Sequence, residues 1–458
     1  MQIHKGVQAA VIGLGMAGLA TVRYLVAQGA RVRVSDKRDF TQIEPSTVAW
    51  LEEHGVSLEY GGHTAAFLTG SEVVIPGPGV PLDLPVLQAV REQGLPILGE
   101  LALAAGQFQV PVIAVTGSNG KTTVTSLIGH LLRAADKTPF VGGNIGTPLL
   151  DYFAHPGSYD CVVLELSSFQ LDLAGLFRPD VGLLLNLSPD HLDRHGSFAA
   201  YAGAKQKLFA HQVAGDCAIL GADDPQAAAT PLSEGVARYT FGRGGNCSAR
   251  IVDGRVELRT GGQGEGEACF DLGPTRLHSS VNQLNGAAAV LAVAQLGCGY
   301  EAIGRGLLSF EPPAHRMAEV ATIDGVRFIN DSKATNIGAL EAALGGCESP
   351  VVLIAGGRDK GSDYTLLKEV VGRRVKHLIL MGEAAGMIQS ALETVATVEI
   401  VGTMAEAVQR AMAAATSGDL VLLAPGCASF DMFSGYEERG RVFAEQVLQL
   451  GQERTAGR

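Results

Sequence analysis

The chain has 458 residues, 47% of them hydrophobic and 18% charged, with a formal net charge of −12. This composition excludes a disordered chain, and the length asks for more than one core, with three domains as the natural division. The acidic balance argues against nucleic acid as a partner, and no apolar run approaches the ~18–20 residues that span a bilayer.

Seven cysteines are scattered, odd in number and without C-x-x-C spacing. That pattern favours free thiols in a reducing cytoplasm and argues against a zinc site. Lys5 and the apolar stretch 7–20 imitate a short signal peptide. They read better as a strand followed by a glycine turn.

In chain order, Ala9-Ala10-Val11-Ile12 predicts a first strand. Gly13-Leu14-Gly15-Met16-Ala17-Gly18 follows, then a helix over 19–28, a second strand over 31–35, and Asp36. A G-x-G-x-x-G turn with an acidic residue after the second strand matches the dinucleotide fingerprint. It predicts a phosphate at the helix start and Asp36 near a ribose or base. Taken alone the fingerprint is weak evidence for a nicotinamide cofactor, and a turn that only packs helix on strand would look the same. A third glycine turn, Pro76-Gly77-Pro78-Gly79, follows the apolar stretch 73–75. It lies at a strand's carboxyl end, where open α/β sheets bind ligands.

The next apolar β-branched run, over 112–115, leads into Thr116-Gly117-Ser118-Asn119-Gly120-Lys121-Thr122-Thr123. After Lys121 the apolar spacing becomes helical, with Val124, Leu127, Ile128, Leu131 and Leu132 on one face. A strand, a glycine-rich loop, Lys-Thr-Thr and a helix make a phosphate cradle. Loop amides and the helix N-terminus face the anion, Lys121 neutralises a β/γ-phosphate, and Thr122 or Thr123 holds a phosphate-bound Mg²⁺. Val115 stands where the full pattern has its first glycine, so the loop is a shortened form, G-x-x-G-K-T-T.

A second glycine loop follows at 142–146, containing Asn144. The apolar run 161–164 then ends in Glu165, the place where a phosphate-loop enzyme keeps a Mg²⁺ ligand. A buried strand over 181–187 runs into Ser188-Pro189-Asp190-His191. Residues 201–205 read as helical, and spacing alone leaves Lys205 a solvated helix lysine. Residues 243–274 read as surface hairpins. Asn282 and Asn285 open a small-residue helix that they could cap, or from which they could touch a base.

Glu311-Pro312-Pro313 breaks the chain as a linker would. Beyond it, apolar runs at 326–329, 351–355, 377–381 and 420–424 alternate with helical patterns. Polar loops follow them: Asn330-Asp331-Ser332-Lys333-Ala334-Thr335-Asn336, then Arg358-Asp359-Lys360, then 425–431. Repeated strand–loop–helix units predict a parallel sheet with functional loops along one edge. The pattern as a whole predicts an α/β protein. It has a Rossmann-like N-terminal domain (1–98), a central phosphate-loop ATPase domain (99–312) and a Rossmann-like C-terminal domain (313–458).

Read together, these motifs resemble the Mur ligases, ATP-dependent enzymes that build the peptide stem of the cell wall. The resemblance runs over the whole chain and in the family's order. The phosphate loop is shared across the superfamily, including the folylpolyglutamate synthases. The runs 330–336 and 424–440 resemble the D-glutamate-adding branch. The resemblance implies an amide-bond-forming ligase that acts on UDP-N-acetylmuramoyl-L-alanine and D-glutamate through an acyl phosphate. It also implies a cytoplasmic monomer with no nucleic-acid partner and no membrane insertion.

Carried onto this sequence, it assigns Gly15, Met16, Ala17, Asp36, Lys37, Arg38 and Gly79 to the uridine diphosphate, so the fingerprint binds UDP and not NAD. Gly117, Ser118, Asn119, Gly120, Lys121, Thr122 and Thr123 would wrap the ATP phosphates, and Asn282, Arg316 and Asp331 would also contact ATP. Thr122, Glu165, His191 and Lys205 would hold two Mg²⁺, Lys205 as a carbamate formed with CO₂. Asn144 and His191 would orient the muramoyl-alanine end, completing a catalytic set with Lys121 and Lys205. Lys333, Thr335, Lys360, Ser429 and Tyr436 would face D-glutamate.

Three positions depart from the family pattern: Val281-Asn282 replaces His-Asn, Met16-Ala17 replaces a hydroxyl-bearing stretch, and Tyr436 replaces a common Phe. The rival readings are a sibling ligase adding another amino acid, a folylpolyglutamate-type ligase, a nicotinamide oxidoreductase and a non-catalytic nucleotide-binding module.

Overall fold

Residues 3–259, 268–347 and 349–456 are described here from a computed structural model. Three sheets with helices between their strands make up the α/β fold. The first sheet has four parallel strands in the order Ser57–Glu59, Arg31–Ser35, Gln8–Ile12, Val73–Pro76. The second, among the described residues, has nine strands. Its parallel centre runs Ala237–Gly242, Cys217–Gly221, Val181–Leu184, Val112–Thr116, Cys161–Glu165, Pro139–Gly143. The expected surface hairpins are an extension of this sheet: Ala249–Val252, Arg255–Leu258 and Ala268–Asp271 pair at its edge, the last two junctions antiparallel. Part of that predicted stretch, 260–267, lies outside the described residues.

The third sheet has six strands in the order Ala318–Ile323, Val326–Asn330, Leu420–Leu423, Val351–Gly356, Val375–Met381, Thr397–Ile400. Only the first pair is antiparallel. Its core follows from the two-residue period of a strand. Val351, Leu353 and Ala355 belong to one apolar cluster while Val352 and Ile354 belong to another. Leu378 and Leu380 likewise part from Ile379 and Met381. Both faces of the sheet are therefore covered, which is why these strands read as unbroken apolar runs.

The chain divides into two compact units. One collects Met1–Leu187, Ala202–Asp271 and Asn285–Ser309; the other collects Ser188–Tyr201, Leu272–Leu284 and Phe310–Arg458. Two predicted boundaries shift for physical reasons. The first helix is Met16–Ala27, starting three residues before the expected 19. It can start there because Gly18 lies within its first turn, where any Cβ would collide with the Gly13 carbonyl. The strand expected over 181–187 stops at Leu184, because the chain beyond it turns to hold the phosphate loop.

Candidate active site

The strand Val112–Thr116 is fully buried, and the helix Lys121–Ala134 starts directly after the loop. Gly120 caps that helix at φ +85°, a left-handed conformation that favours glycine. Its missing side chain also makes room for the Asn285 amide, which a Cβ would strike. Lys121 folds its ammonium back on the loop, donating to the carbonyls of Gly117 (2.8 Å) and Ser118 (2.9 Å). The loop is held from the side by Asn186. Its backbone carbonyl accepts from the Ser118 amide (2.9 Å), and its side chain accepts from the Asn119 amide (2.8 Å) and donates to the Asn119 carbonyl (3.1 Å). Ser118 and Thr123 are buried.

Thr122, not Thr123, meets the expected carboxylate: its hydroxyl donates to Glu165 Oε2 at 2.6 Å. The other oxygen, Oε1, accepts from the Asn144 amide at 2.8 Å. Glu165 is 2% exposed, at the end of its strand. Asn144 is brought there by Gly143, at φ +100°, which packs so closely on the Glu165 carbonyl that no side chain fits. The expected second loop is thus partly strand, since Pro139–Gly143 pairs with Cys161–Glu165 and only the residues after it turn away.

A hydroxyl and a carboxylate are hard oxygen donors. Mg²⁺ needs few of them, because phosphates and water complete its shell. The pair fits that ion, and no cluster of three or more His, Cys, Asp or Glu suited to a metal occurs among the described residues.

A cleft of about 340 Å³ runs between the Asn144 loop and the first glycine turn. Gly13, Gly15, Met16, Ala17 and Gly79 line one part of it, and Asn144 and Gly146 the other. Met16 is 77% exposed, so its side chain borders the opening. Asp36, expected near a ribose or base, also holds the turn itself. It is buried; Oδ2 accepts from the Leu14 amide (2.5 Å) and Oδ1 from the Arg38 amide (2.9 Å) and Nε (2.8 Å). Burial works against its charge, but these hydrogen bonds prevail and hold the carboxyl below its usual range. Arg38 also donates to the Leu14 carbonyl at 2.9 Å. Asp36 and Arg38 therefore brace the turn, while Lys37 is exposed beside them. Lys205 is 2% exposed at the end of the helix Phe198–Gln206, which rejects the solvated-lysine reading.

In the second unit the strand ends carry the polar residues. His191 adopts φ +53° beside Asp190. Asp190 gathers three groups: Asn336 Nδ2 at 3.0 Å, Lys360 Nζ at 3.6 Å and His191 Nε2 at 3.7 Å. They line a cavity of about 160 Å³ with Ser362 and Leu366. Lys333 Nζ stands 3.7 Å from the Tyr436 ring centre, a cation–π contact that holds both. Asp331 accepts from the Met317 amide at 3.2 Å. Burial pushes its carboxyl up to about 6, against the pull of that amide and of Arg316. Ser429 and Asn282 are buried, and Thr335 is half-buried.

Arg439, 2% exposed, ties these loops together by donating to the Ser332 hydroxyl and carbonyl and to the carbonyls of Cys427 and Ala428. Asn186, Asp190, Asn336 and Arg439 were not singled out by sequence reasoning. A signal existed for the first two, which are polar residues just beyond a core strand. Asn336 and Arg439 fall inside the runs 330–336 and 424–440, but no local rule points to the partners of Arg439, which are more than ten residues away.

Models of three domains match the chain: "Mur ligase MurD-like, N-terminal domain" over 7–99, "Mur ligase middle domain" over 115–292 and "Mur ligase, glutamate ligase domain" over 315–427. A UDP-N-acetylmuramoylalanine–D-glutamate ligase of Desulfotalea psychrophila is 47% identical, with 96% of each chain covered. One of Syntrophotalea carbinolica is 38% identical, over 98% of this chain and 99% of the relative. Among solved structures, a pseudomurein peptide ligase type C of Methanothermus fervidus has a TM-score of 0.60 at 17% identity, covering 97% of this chain and 99% of that one. A MurF ligase of Thermotoga maritima, solved in complex with ADP, has a TM-score of 0.59 at 16% identity, covering 98% and 96%. At these identities the two structures speak for the fold alone.

Proposed function

The chain belongs to the Mur ligase family, and from that premise we propose that it joins D-glutamate to UDP-N-acetylmuramoyl-L-alanine, converting ATP to ADP and phosphate. The observation that carries this reading is the cluster Thr122–Glu165–Asn144. It stands beside a phosphate loop at one end of a cleft whose other end is the glycine turn of the first sheet. A substrate with a diphosphate at one end and a carboxylate at the other matches such a cleft. The names of the full-length relatives supply the identity of the two substrates.

A carboxylate is a poor electrophile, so the L-alanine carboxylate first attacks the γ-phosphorus of ATP. An O–P bond forms and ADP leaves. The amine of D-glutamate then adds to the carbonyl of the acyl phosphate, and phosphate leaves with the C–O electron pair. Such transfers depend on positioning and charge neutralisation, and no covalent nucleophile is needed. Lys121, freed from the Gly117 and Ser118 carbonyls by arriving phosphates, would pair with them. The loop amides and helix start would add their dipoles. Thr122 and Glu165 would hold Mg²⁺, with His191 and a carbamylated Lys205 serving a second ion. Bound Mg²⁺ supplies neutralisation of the phosphate oxygens. Asn144 and His191 would orient the acceptor carboxylate. Asn282, Arg316 and Asp331 would contact ATP. Gly15, Met16, Ala17, Asp36, Lys37, Arg38 and Gly79 would meet the uridine diphosphate, Asp36 and Arg38 bracing the turn as well.

Lys360, with Lys333, Thr335, Ser429 and Tyr436, would select a dicarboxylate by charge complementarity. The domain limits 98/99 and 312/313, a monomeric state and a cytoplasmic location belong to the same proposal. No helix among the described residues is long and apolar enough to cross a membrane.

The test is an amino-acid panel with UDP-N-acetylmuramoyl-L-alanine, ATP and Mg²⁺. Phosphate release that requires D-glutamate, and that L-glutamate, meso-diaminopimelate and L-alanine do not elicit, is the expected result. Release that ignores D-glutamate would sink the proposal.

A further inference from the structure

The turn that carries Lys360 is wound around one carboxylate. Asp359 accepts from the amides of Gly361 (2.8 Å) and Ser362 (3.2 Å) and from the Tyr364 hydroxyl (2.7 Å). The same hydroxyl lies 3.1 Å from Cys427 Sγ. A carboxylate only accepts, so the tyrosine proton goes to Asp359 and the thiol must donate to the tyrosine oxygen. Burial raises both the tyrosine and the cysteine, the latter to about 11, so both protons are in place at neutral pH.

Cys427 lies two residues before Ser429. The Gly356 amide donates to the Pro425 carbonyl, and Arg358 and Ala428 exchange a pair of backbone bonds (2.9 and 3.0 Å). The two loops that bear Lys360 and Ser429 are thus zipped on their backbone side. On their side-chain side the Tyr364 phenol bridges them.

We propose that Tyr364 is a positioning residue for amino-acid selection, setting the separation of Lys360 and Ser429 through the chain Cys427–Tyr364–Asp359. The inference rests on those two residues holding the D-glutamate carboxylates, as proposed above. Tyr364 is 5% exposed, and its ring belongs to an apolar cluster with Leu367, Leu380 and Ala384. Tyr364→Phe therefore keeps the packing and removes only the bridge.

Steady-state kinetics with each substrate varied in turn tests it. The expected result for Tyr364→Phe is a rise of about tenfold in KM for D-glutamate, the scale of one lost hydrogen bond to a charged group. KM for ATP and for the UDP substrate should stay within about twofold, and kcat at saturating D-glutamate should be largely kept. Adding the same change to Asp359→Asn should have less than its full effect, since the two variants share the Tyr364–Asp359 contact. A Tyr364→Phe enzyme with unaltered KM for D-glutamate overturns the inference. So do three KM values that rise together, or fully additive effects in the double variant. A parent enzyme whose phosphate release ignores D-glutamate would instead bring down the functional reading beneath it.

Discussion

At the scale of single residues, the phosphate loop depends on a neighbour that contributes nothing to its sequence motif. Asn186 presents one side-chain acceptor and one donor to the two faces of the Asn119 peptide. Asn186→Ala leaves the backbone bond from Ser118 but removes the two side-chain bonds to the Asn119 amide and carbonyl. These groups are half-buried, so water can replace the lost bonds and fold stability should change little. The cost appears when the amides must point at phosphate. We expect KM for ATP to rise about tenfold, with the melting temperature lowered by no more than a few degrees. Kinetics and calorimetry on the same preparation check both. A variant that melts far lower, with unchanged KM for ATP, would make Asn186 a folding residue only.

At the scale of elements, strands were more legible than the contacts between their loops. The stretches Arg31–Ser35 and Cys161–Glu165 match their predicted limits, the first as a valine alternation ending at Asp36 and the second as an apolar run closed by an acid. The residues after strands were legible as candidates, since Glu165, Asp331 and Lys360 all stand at carboxyl ends. Which of them meet was not legible. Asp190 and Lys360 are 170 positions apart, and no local rule pairs them. Asp36 was legible as an acid at the fingerprint position; its burial and its bracing of the turn were not.

The helix Glu100–Ala104 holds a case that composition could not reveal. Glu100 is 5% exposed, with Oε1 accepting from Gln170 at 2.6 Å and no hydrogen-bond partner for Oε2. Burial pushes its carboxyl from 4.5 up to about 7. A carboxyl raised on folding penalises the fold above its folded value, and the penalty fades as pH falls toward 4.5. Glu100→Gln removes the charge and keeps an acceptor for Gln170. The variant should be the more stable protein at pH 8, by up to about 3 kcal/mol on this shift, and its advantage should shrink toward pH 5. Chemical denaturation at the two pH values measures it. An advantage that does not vary with pH would show that folding leaves the Glu100 carboxyl where it stands in the unfolded chain.

At the scale of the whole molecule, a chain of net charge −12 must bind polyanions against its own field. On the proposed reading it does so where local dipoles and a few cations prevail, at the loop carrying Lys121 and at the glycine turn beside Arg38. The two sites are predicted to be energetically separable, because the groups facing phosphate differ. A ligand that binds only the folded state adds stability of about 2.7 kcal/mol at a concentration 100 times its Kd. ATP with Mg²⁺ should therefore raise the melting temperature of the parent protein, and so should UDP-N-acetylmuramoyl-L-alanine given alone. Lys121→Ala should lose the first shift and keep the second, with turnover reduced on the order of 10²–10³-fold. Calorimetry with each ligand in turn reads this directly. If ATP still shifted the variant as it shifts the parent, the nucleotide would be held somewhere other than the loop. If both shifts vanished together, Lys121 would be serving the fold rather than the phosphates.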